Sequence, residues 1–219
     1  MSYNKGLETR NKIIQTAKIL FYEKGFKKTR VTEICEITGV KGGTLTYYFN
    51  TKRDIVKALY GELLIQCDDF LEEHIQQKIS PFEKSVIASF LFNLAVFRNE
   101  NTVHFHHEVN LEESAGEYIV PHLKSIYHSF NLELKLNMND EDTQEILLAD
   151  AGMRRELTLH FINKNGYVIN EEKVLSFARK EHIFMGRLFL VDDEKMEKNV
   201  VAARTFSKDY DHSGIKLLI

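Results

Sequence analysis

The chain has 219 residues, is 43% apolar and carries a formal net charge of −3. This length and apolar content support a full core and argue against a disordered or fibrous class. Only two prolines, 11 glycines and long 3.6-residue periodicities predict an all-α fold. No run approaches the roughly 18 apolar residues that span a bilayer, so no membrane partner is expected. The opening MSYNKGLETR lacks an apolar h-region and predicts no signal peptide. Cys35 and Cys67 make no metal-type cluster and are read as reduced thiols of a cytoplasmic protein.

The charge is unevenly spread. Residues 1–57 carry 12 Lys+Arg against 5 Asp+Glu, a net of +7, which leaves −10 for 58–219. A basic N-terminal quarter on an acidic body is the layout of a small head that meets a polyanion.

The pattern predicts a first helix over Glu8–Lys24, with Ile13, Ala17, Leu20 and Phe21 on one face, Thr9 as N-cap and Gly25 as the stop. Arg10 and Lys12 then oppose the helix dipole, which suggests an external anion nearby. A second helix is expected within Thr29–Thr38, capped by Thr29 or Thr32, with Val31, Ile34 and Ile37 inward and Cys35 as packing. Gly39-Val40 turns the chain into a third helix, Lys41–Phe49, whose Leu45 and Phe49 form an inward i, i+4 pair. Thr44, Thr46, Tyr47 and Tyr48 are left partly outward, with Gly42 and Gly43 at the tip and Lys41 and Lys52 on the flanks. A small-tipped, hydroxyl-rich helix between cations suits a nucleic-acid groove.

These three segments, ILFYEKGF (19–26), VTEICEITGV (31–40) and GTLTYYFNTK (43–52), resemble the TetR family of bacterial transcriptional regulators. Gly39, Val40, Gly43, Thr44, Leu45, Phe49 and Lys52 match the family motif at its spacing. The chain departs from it at three positions. Lys41 replaces the usual Ser N-cap, at a cost of about 1 kcal/mol; Gly42 replaces a longer side chain; and Thr46 replaces the usual Tyr. The resemblance implies an N-terminal three-helix helix-turn-helix DNA-binding domain over 1–51 and a C-terminal helical ligand-binding and dimerisation domain over 52–219. It also implies that Thr44, Tyr47 and Tyr48 touch phosphate or base edges and that Lys52 holds a phosphate.

A fourth helix is predicted over Lys52–Gln77, with Ile55, Leu59, Leu63, Cys67, Phe70 and His74 on one stripe, long enough to act as a lever. Ser80-Pro81 opens a fifth helix to about residue 98, with Val86, Phe90, Leu94 and Phe97 apolar; by resemblance this helix lines a ligand cavity. Residues 99–116 read as less regular. Their cluster His104-Phe105-His106-His107-Glu108 would present His104, His107 and Glu108 on one helical face, which raises a metal-responsive alternative; polar residues on a bundle rim are the plainer reading, and no metal site or cofactor is assigned. Further helices are expected over Gly116–Asn137 (His122, Ile126, Tyr127 and Phe130 inward), Asp142–Lys164 (Ile146, Ala149, Met153, Leu157, His160 and Phe161 on one stripe) and Glu171–Val191 (Val174, Phe177, Ala178, Met185, Leu188 and Phe189). Phe177, Met185 and Phe189 serve equally as a dimer face or as internal core. Residues 192–219 have no assignable structure by pattern.

GxSxG, P-loop, HExxH and paired-Cys motifs are missing from the sequence, so no enzyme is expected. The function implied is a ligand-responsive DNA-binding regulator, in the commoner family mode a repressor released from a near-palindromic operator by a small-molecule effector, acting as a homodimer through C-terminal helices. Phe90, Leu94, Phe97, His122, Tyr127, Phe130, Met153 and Leu157 are the candidate effector residues. Arg154 and Arg155 could pair an anion, but helical arginines usually face water.

Overall fold

The computed structural model describes residues 2–112 and 120–219, with side chains from 5–112 and 123–219. Among these residues the fold is all-α, with ten helices: α1 Ser2–Lys28, α2 Val31–Thr38, α3 Gly42–Tyr48, α4 Lys52–His74, α5 Pro81–Val96, α6 Glu100–Glu112, α7 Val120–Leu134, α8 Asp140–Asn165, α9 Glu171–Leu188 and α10 Asp193–Asp209.

The first helix starts earlier than its pattern suggests. Thr9 lies inside it, donating its hydroxyl to the Lys5 carbonyl at 2.9 Å rather than capping. Arg10 and Lys12 therefore do not face a helix start. The Lys12 ammonium reaches the Thr38 carbonyl, and the Arg10 guanidinium lies 5.3 Å from the Phe49 ring centre, so both tie α1 to the later helices. Gly25 does end the regular helix: its φ of 81° and ψ of 176° kink the chain. Thr29 seals that kink by donating to the Gly25 carbonyl at 2.7 Å, so it does not cap α2. The α2 N-cap is Arg30, whose amide donates to the Glu33 carboxylate at 3.1 Å. Gly39 takes the left-handed conformation after α2, φ 69°. Ile34 is buried, but Ile37 is 61% exposed; the inward place is taken by Thr38, whose hydroxyl donates to its own helix at the Ile34 carbonyl.

Thr51 caps α4 in a reciprocal pair with Asp54. Ile55, Leu59, Leu63 and Cys67 are buried as expected, whereas Phe70 and His74 are half-buried and stack on each other. Ser80 caps α5, with Pro81 at its first turn. Helix α5 is apolar nearly all round and runs through the middle of the body, packed by α4, α6, α7, α9 and α10. Within the region read as less regular, Glu100–Glu112 form a helix, α6: Asn99 starts it by accepting from the Thr102 amide at 2.9 Å, a cap that the apolar pattern does not reveal. On α8 the buried face is Thr143, Leu147, Asp150, Ala151, Thr158, Leu159 and Ile162; Ala149 and His160 of the expected stripe are exposed. The face is rotated because α8 turns a buried ionic cluster, not its most apolar strip, towards the body.

Phe177, Met185 and Phe189 are internal. Phe177 stacks on Phe161, and Phe189 packs against Phe82, Tyr127 and Phe130. The C-terminal region forms α10 and a tail that folds back. Ile215, Leu217 and Leu218 are buried, Lys216 exchanges two backbone bonds with the Gln66 amide group, and Arg98 holds the His212 and Ser213 carbonyls. One apolar core runs from Ile13 to Leu218, continuous from the first helices into the body. No helix among the described residues is long and apolar enough to cross a membrane.

Candidate nucleic-acid interface and body cavity

Helix α3 is held from behind by Leu45 and Phe49, which are buried. Its other side is open. Lys41, Gly42, Gly43, Thr44, Thr46 and Tyr47 are exposed, and Tyr48 is half-exposed. Tyr47 is 82% exposed and meets Tyr48 edge-on at 5.1 Å between ring centres. The Thr46 hydroxyl donates back to the Gly42 carbonyl at 3.0 Å, which leaves the Thr44 hydroxyl as the freer of the two. Lys41 occupies the N-cap without a side-chain hydrogen bond; its carbonyl takes the Thr44 amide at 2.9 Å, and the Gly42 and Gly43 amides at the tip receive no side-chain cap. A Cβ on Gly42 or Gly43 would meet nothing within 4 Å. Among the described residues no neighbour requires those glycines, and their lack of bulk leaves the tip open to close approach.

Lys52 sits differently from the other flanking cation. Its ammonium donates to the Phe26 carbonyl at 2.6 Å and the Thr29 carbonyl at 3.0 Å and lies 4.0 Å from the Phe26 ring centre. Burial lowers its pKa. It ties the start of α4 to the α1–α2 junction rather than projecting outward with the α3 residues.

The body holds a cavity of about 250 Å³ bounded by α4 to α9. Its inner wall carries buried Asn93, His106, Asn110, Tyr127, Thr158 and Glu181. Of the expected effector residues whose side chains are described, only Tyr127 lines it. Phe90 packs on His182, Phe130 is core against Phe82 and Phe189, and Met153 and Leu157 are half-buried outside the lining. Leu94 and Phe97 border a separate groove beside the C-terminal tail, and the His122 side chain lies outside the described residues. The aromatic-rich pattern marks core, because core and apolar pocket wall have the same sequence signature. The polar lining was missed; its signal was the presence of Asp150, Arg154 and Glu181 on helices where apolar residues would otherwise be expected. Arg154 is turned inward, not to water. Its Nε donates to Asp150 Oδ2 at 2.7 Å, one terminal nitrogen lies 3.4 Å from the Ser89 hydroxyl, and the other lies 3.2 Å from Met185 Sδ. The Tyr127 hydroxyl donates to the same Asp150 oxygen.

Helix α6 touches both regions. His106 and Asn110 face the cavity, and His106 Nδ1 is 2.6 Å from the Tyr60 hydroxyl of α4. On the neighbouring face, Glu108 accepts from the Lys27 amide at 2.9 Å, and Phe105 packs 5.0 Å from Phe21. A Cβ on Gly25 would lie 2.5 Å from Glu108 Oε2 and 2.9 Å from the His104 ring, so helix and kink are in close contact. The metal alternative loses its geometry here. His104 reaches Glu108 at 3.4 Å, His107 turns to the Tyr167 hydroxyl at 2.9 Å, and among the described residues no three His, Cys, Asp or Glu side chains converge.

A three-helix head with an open, glycine-tipped third helix is a helix-turn-helix DNA-binding unit. Residues 13–59 match the model of the bacterial regulatory proteins of the TetR family. The chain is similar to IcaR, the HTH-type negative transcriptional regulator of the biofilm operon icaADBC from Staphylococcus aureus (strain Newman). The two are 26% identical over 149 residues, covering 64% of this chain and 78% of that protein. It is also similar to the HTH-type transcriptional regulator TtgR of Pseudomonas putida, 39% identical over 56 residues, 26% of this chain and 27% of that one. The crystal structure of full-length native TylP, a TetR regulator from Streptomyces fradiae, superposes with a TM-score of 0.56 over 94% of both chains at 15% identity, a likeness of fold. The proteins it resembles along its N-terminal region are regulators of transcription.

Proposed function

We propose that the protein is a repressor released from a near-palindromic operator by a small-molecule effector, with 1–51 as the DNA-reading head and 52–219 as the effector-binding and dimerisation body. The single observation that carries this reading is helix α6, which has His106 and Asn110 on the cavity and Glu108 on the Lys27 amide of the head. A ligand that binds better when α6 is displaced shifts the head by its differential affinity for the two positions and no more. IcaR, named a negative regulator, supports the repressor sense.

In this reading Lys41, Gly42, Gly43, Thr44, Thr46, Tyr47 and Tyr48 form the face turned to the major groove, and Lys52 holds that face in position through Phe26 and Thr29. Two copies related by a two-fold axis present two such helices to successive major grooves. The proposed dimer uses the outward faces of α8 and α9, where Leu148 and Phe184 are exposed. The protein acts in the cytoplasm, where its DNA is.

The test is fluorescence anisotropy on duplex DNA selected from the region upstream of its own gene. Thr44→Ala and Tyr47→Ala are expected to weaken binding at least tenfold while leaving thermal unfolding unchanged. Wild-type affinity in both variants would remove α3 as the reading helix. Glu108→Ala is expected to bind both DNA and effector yet lose the effect of one on the other; intact coupling in that variant would remove α6 as the link.

A further inference from the structure

The inner wall of the cavity carries an ionic imbalance. Asp150 is fully buried and Glu181 is 3% exposed, and they share one guanidinium, that of Arg154. The sharing is unequal. Arg154 Nε is 2.7 Å from Asp150, whereas its terminal nitrogen is 3.6 Å from Glu181 Oε2, beyond hydrogen-bond reach. Glu181 Oε2 accepts from the Asn93 amide at 2.9 Å; Oε1 accepts nothing among the described residues, although Glu181 lines the cavity. Among the described residues the sealed carboxylate oxygen without a partner is Asp150 Oδ1, whereas Glu181 Oε1 is not sealed and is the one that a group entering the cavity can reach. Burial pushes the Glu181 pKa up to about 7, and the Arg154 charge and the Asn93 hydrogen bond offset that only in part.

The other cations at the cavity are committed elsewhere. Lys84 at the outer wall lies 2.9 Å from Asp68 and 3.4 Å from Glu72. Arg155 donates to the Asn110 carbonyl and pairs with Glu156. Burial holds His106 neutral, its pKa lowered to about 3. The remaining surface suits the organic part of a cation, with Phe92 and Tyr127 presenting aromatic rings and Ala88, Ile126 and Met185 apolar surface. At about 250 Å³ the space lies below the usual range for drug-sized ligands.

From this geometry we infer that the effector is a small organic cation, a protonated amine on an apolar body, whose ammonium donates to Glu181 Oε1 while the apolar part lies against Phe92 and Tyr127. The inference rests on the reading of the cavity as the effector site and adds its chemical class.

Three probes of matched size test it by calorimetry on the full chain at mildly alkaline pH, where Glu181 is ionised: 2-phenylethylamine, 2-phenylethanol and 3-phenylpropionate. The amine is expected to bind at least tenfold more tightly than the alcohol or the acid. Glu181→Gln is expected to lose that preference and keep the affinity for the alcohol. The ranking on the wild-type chain decides the matter even if the variant does not fold. An equal or reversed ranking, no binding of the amine at millimolar concentration, or an unchanged preference in a folded Glu181→Gln protein would each overturn the inference. DNA binding is read separately. Release by the alcohol or acid without amine preference overturns the cation and keeps the effector reading, whereas amine binding that leaves DNA affinity unchanged keeps the cation and overturns the effector reading.

Discussion

Gly43 and Gly25 are both glycines for steric reasons, but the reasons are opposite. Gly43 has nothing within 4 Å of a Cβ, so Gly43→Ala is expected to raise stability by up to about 1 kcal/mol through helix propensity and to weaken DNA binding by obstructing close approach. Urea unfolding and anisotropy together check this. Gly25 combines φ 81° with a Cβ position 2.5 Å from Glu108, so Gly25→Ala is expected to lower stability by about 1–3 kcal/mol in the same urea assay. Burial also sets the response to acid. His106 and His182 are lowered to about 3, so each contributes stability above its unfolded value of 6.5 that is lost as pH falls from 6.5 towards 3. Glu181, raised from 4.5 to about 7, acts in the opposite sense: its contribution is complete below 4.5 and is lost as pH rises through about 7. Two histidines against one carboxylate leave a net loss on acidification, steepest below 4.5, where Glu181 adds nothing further. Urea midpoints measured across that range should fall towards low pH, and His182→Gln should flatten the curve.

Capping decides where the helices begin. Asn139 accepts from both the Glu141 and Asp142 amides, so Asn139→Ala is expected to cost about 1 kcal/mol, read by urea unfolding, without altering DNA affinity. Helix α3 has no such side-chain cap, and its stability comes from Leu45 and Phe49 seated in the core. A helix fixed from behind can do without a side-chain cap at Gly42 and Gly43 and leave its tip bare. Helix α6 shows why apolar periodicity is weak at 100–112: three sides meet different neighbours, α1, the cavity and α8, so polar and apolar residues occur all round it.

Across the molecule, charge and packing point the same way. The basic first quarter carries α3, and the acidic remainder is expected to be repelled by phosphates. If two heads neutralise six or more phosphates, log affinity against log salt should have a slope steeper than about −5. Phe184→Glu is expected to shift sedimentation towards the monomer and to reduce DNA affinity with it, because the proposed two-fold pairing of heads is lost.

The sequence by itself determined the all-α class, the α2–turn–α3 unit and the inward pair Leu45 and Phe49. These depend on local signals, namely 3.6-residue periodicity, Gly39 in a left-handed turn and an i, i+4 contact, each acting within a few residues. It also carried the electrostatic polarity of the chain, which is a matter of counting. Tertiary structure decided the inward turn of Lys52, the rotation of α8, the burial of Phe177 and Phe189, and the cavity lined by Glu181 and Arg154 rather than by Phe90 and Phe130. In each case the outcome depends on which distant side chain supplies a carbonyl, a ring or a counter-charge, and that partner is fixed by how the helices meet, not by the spacing along any one of them.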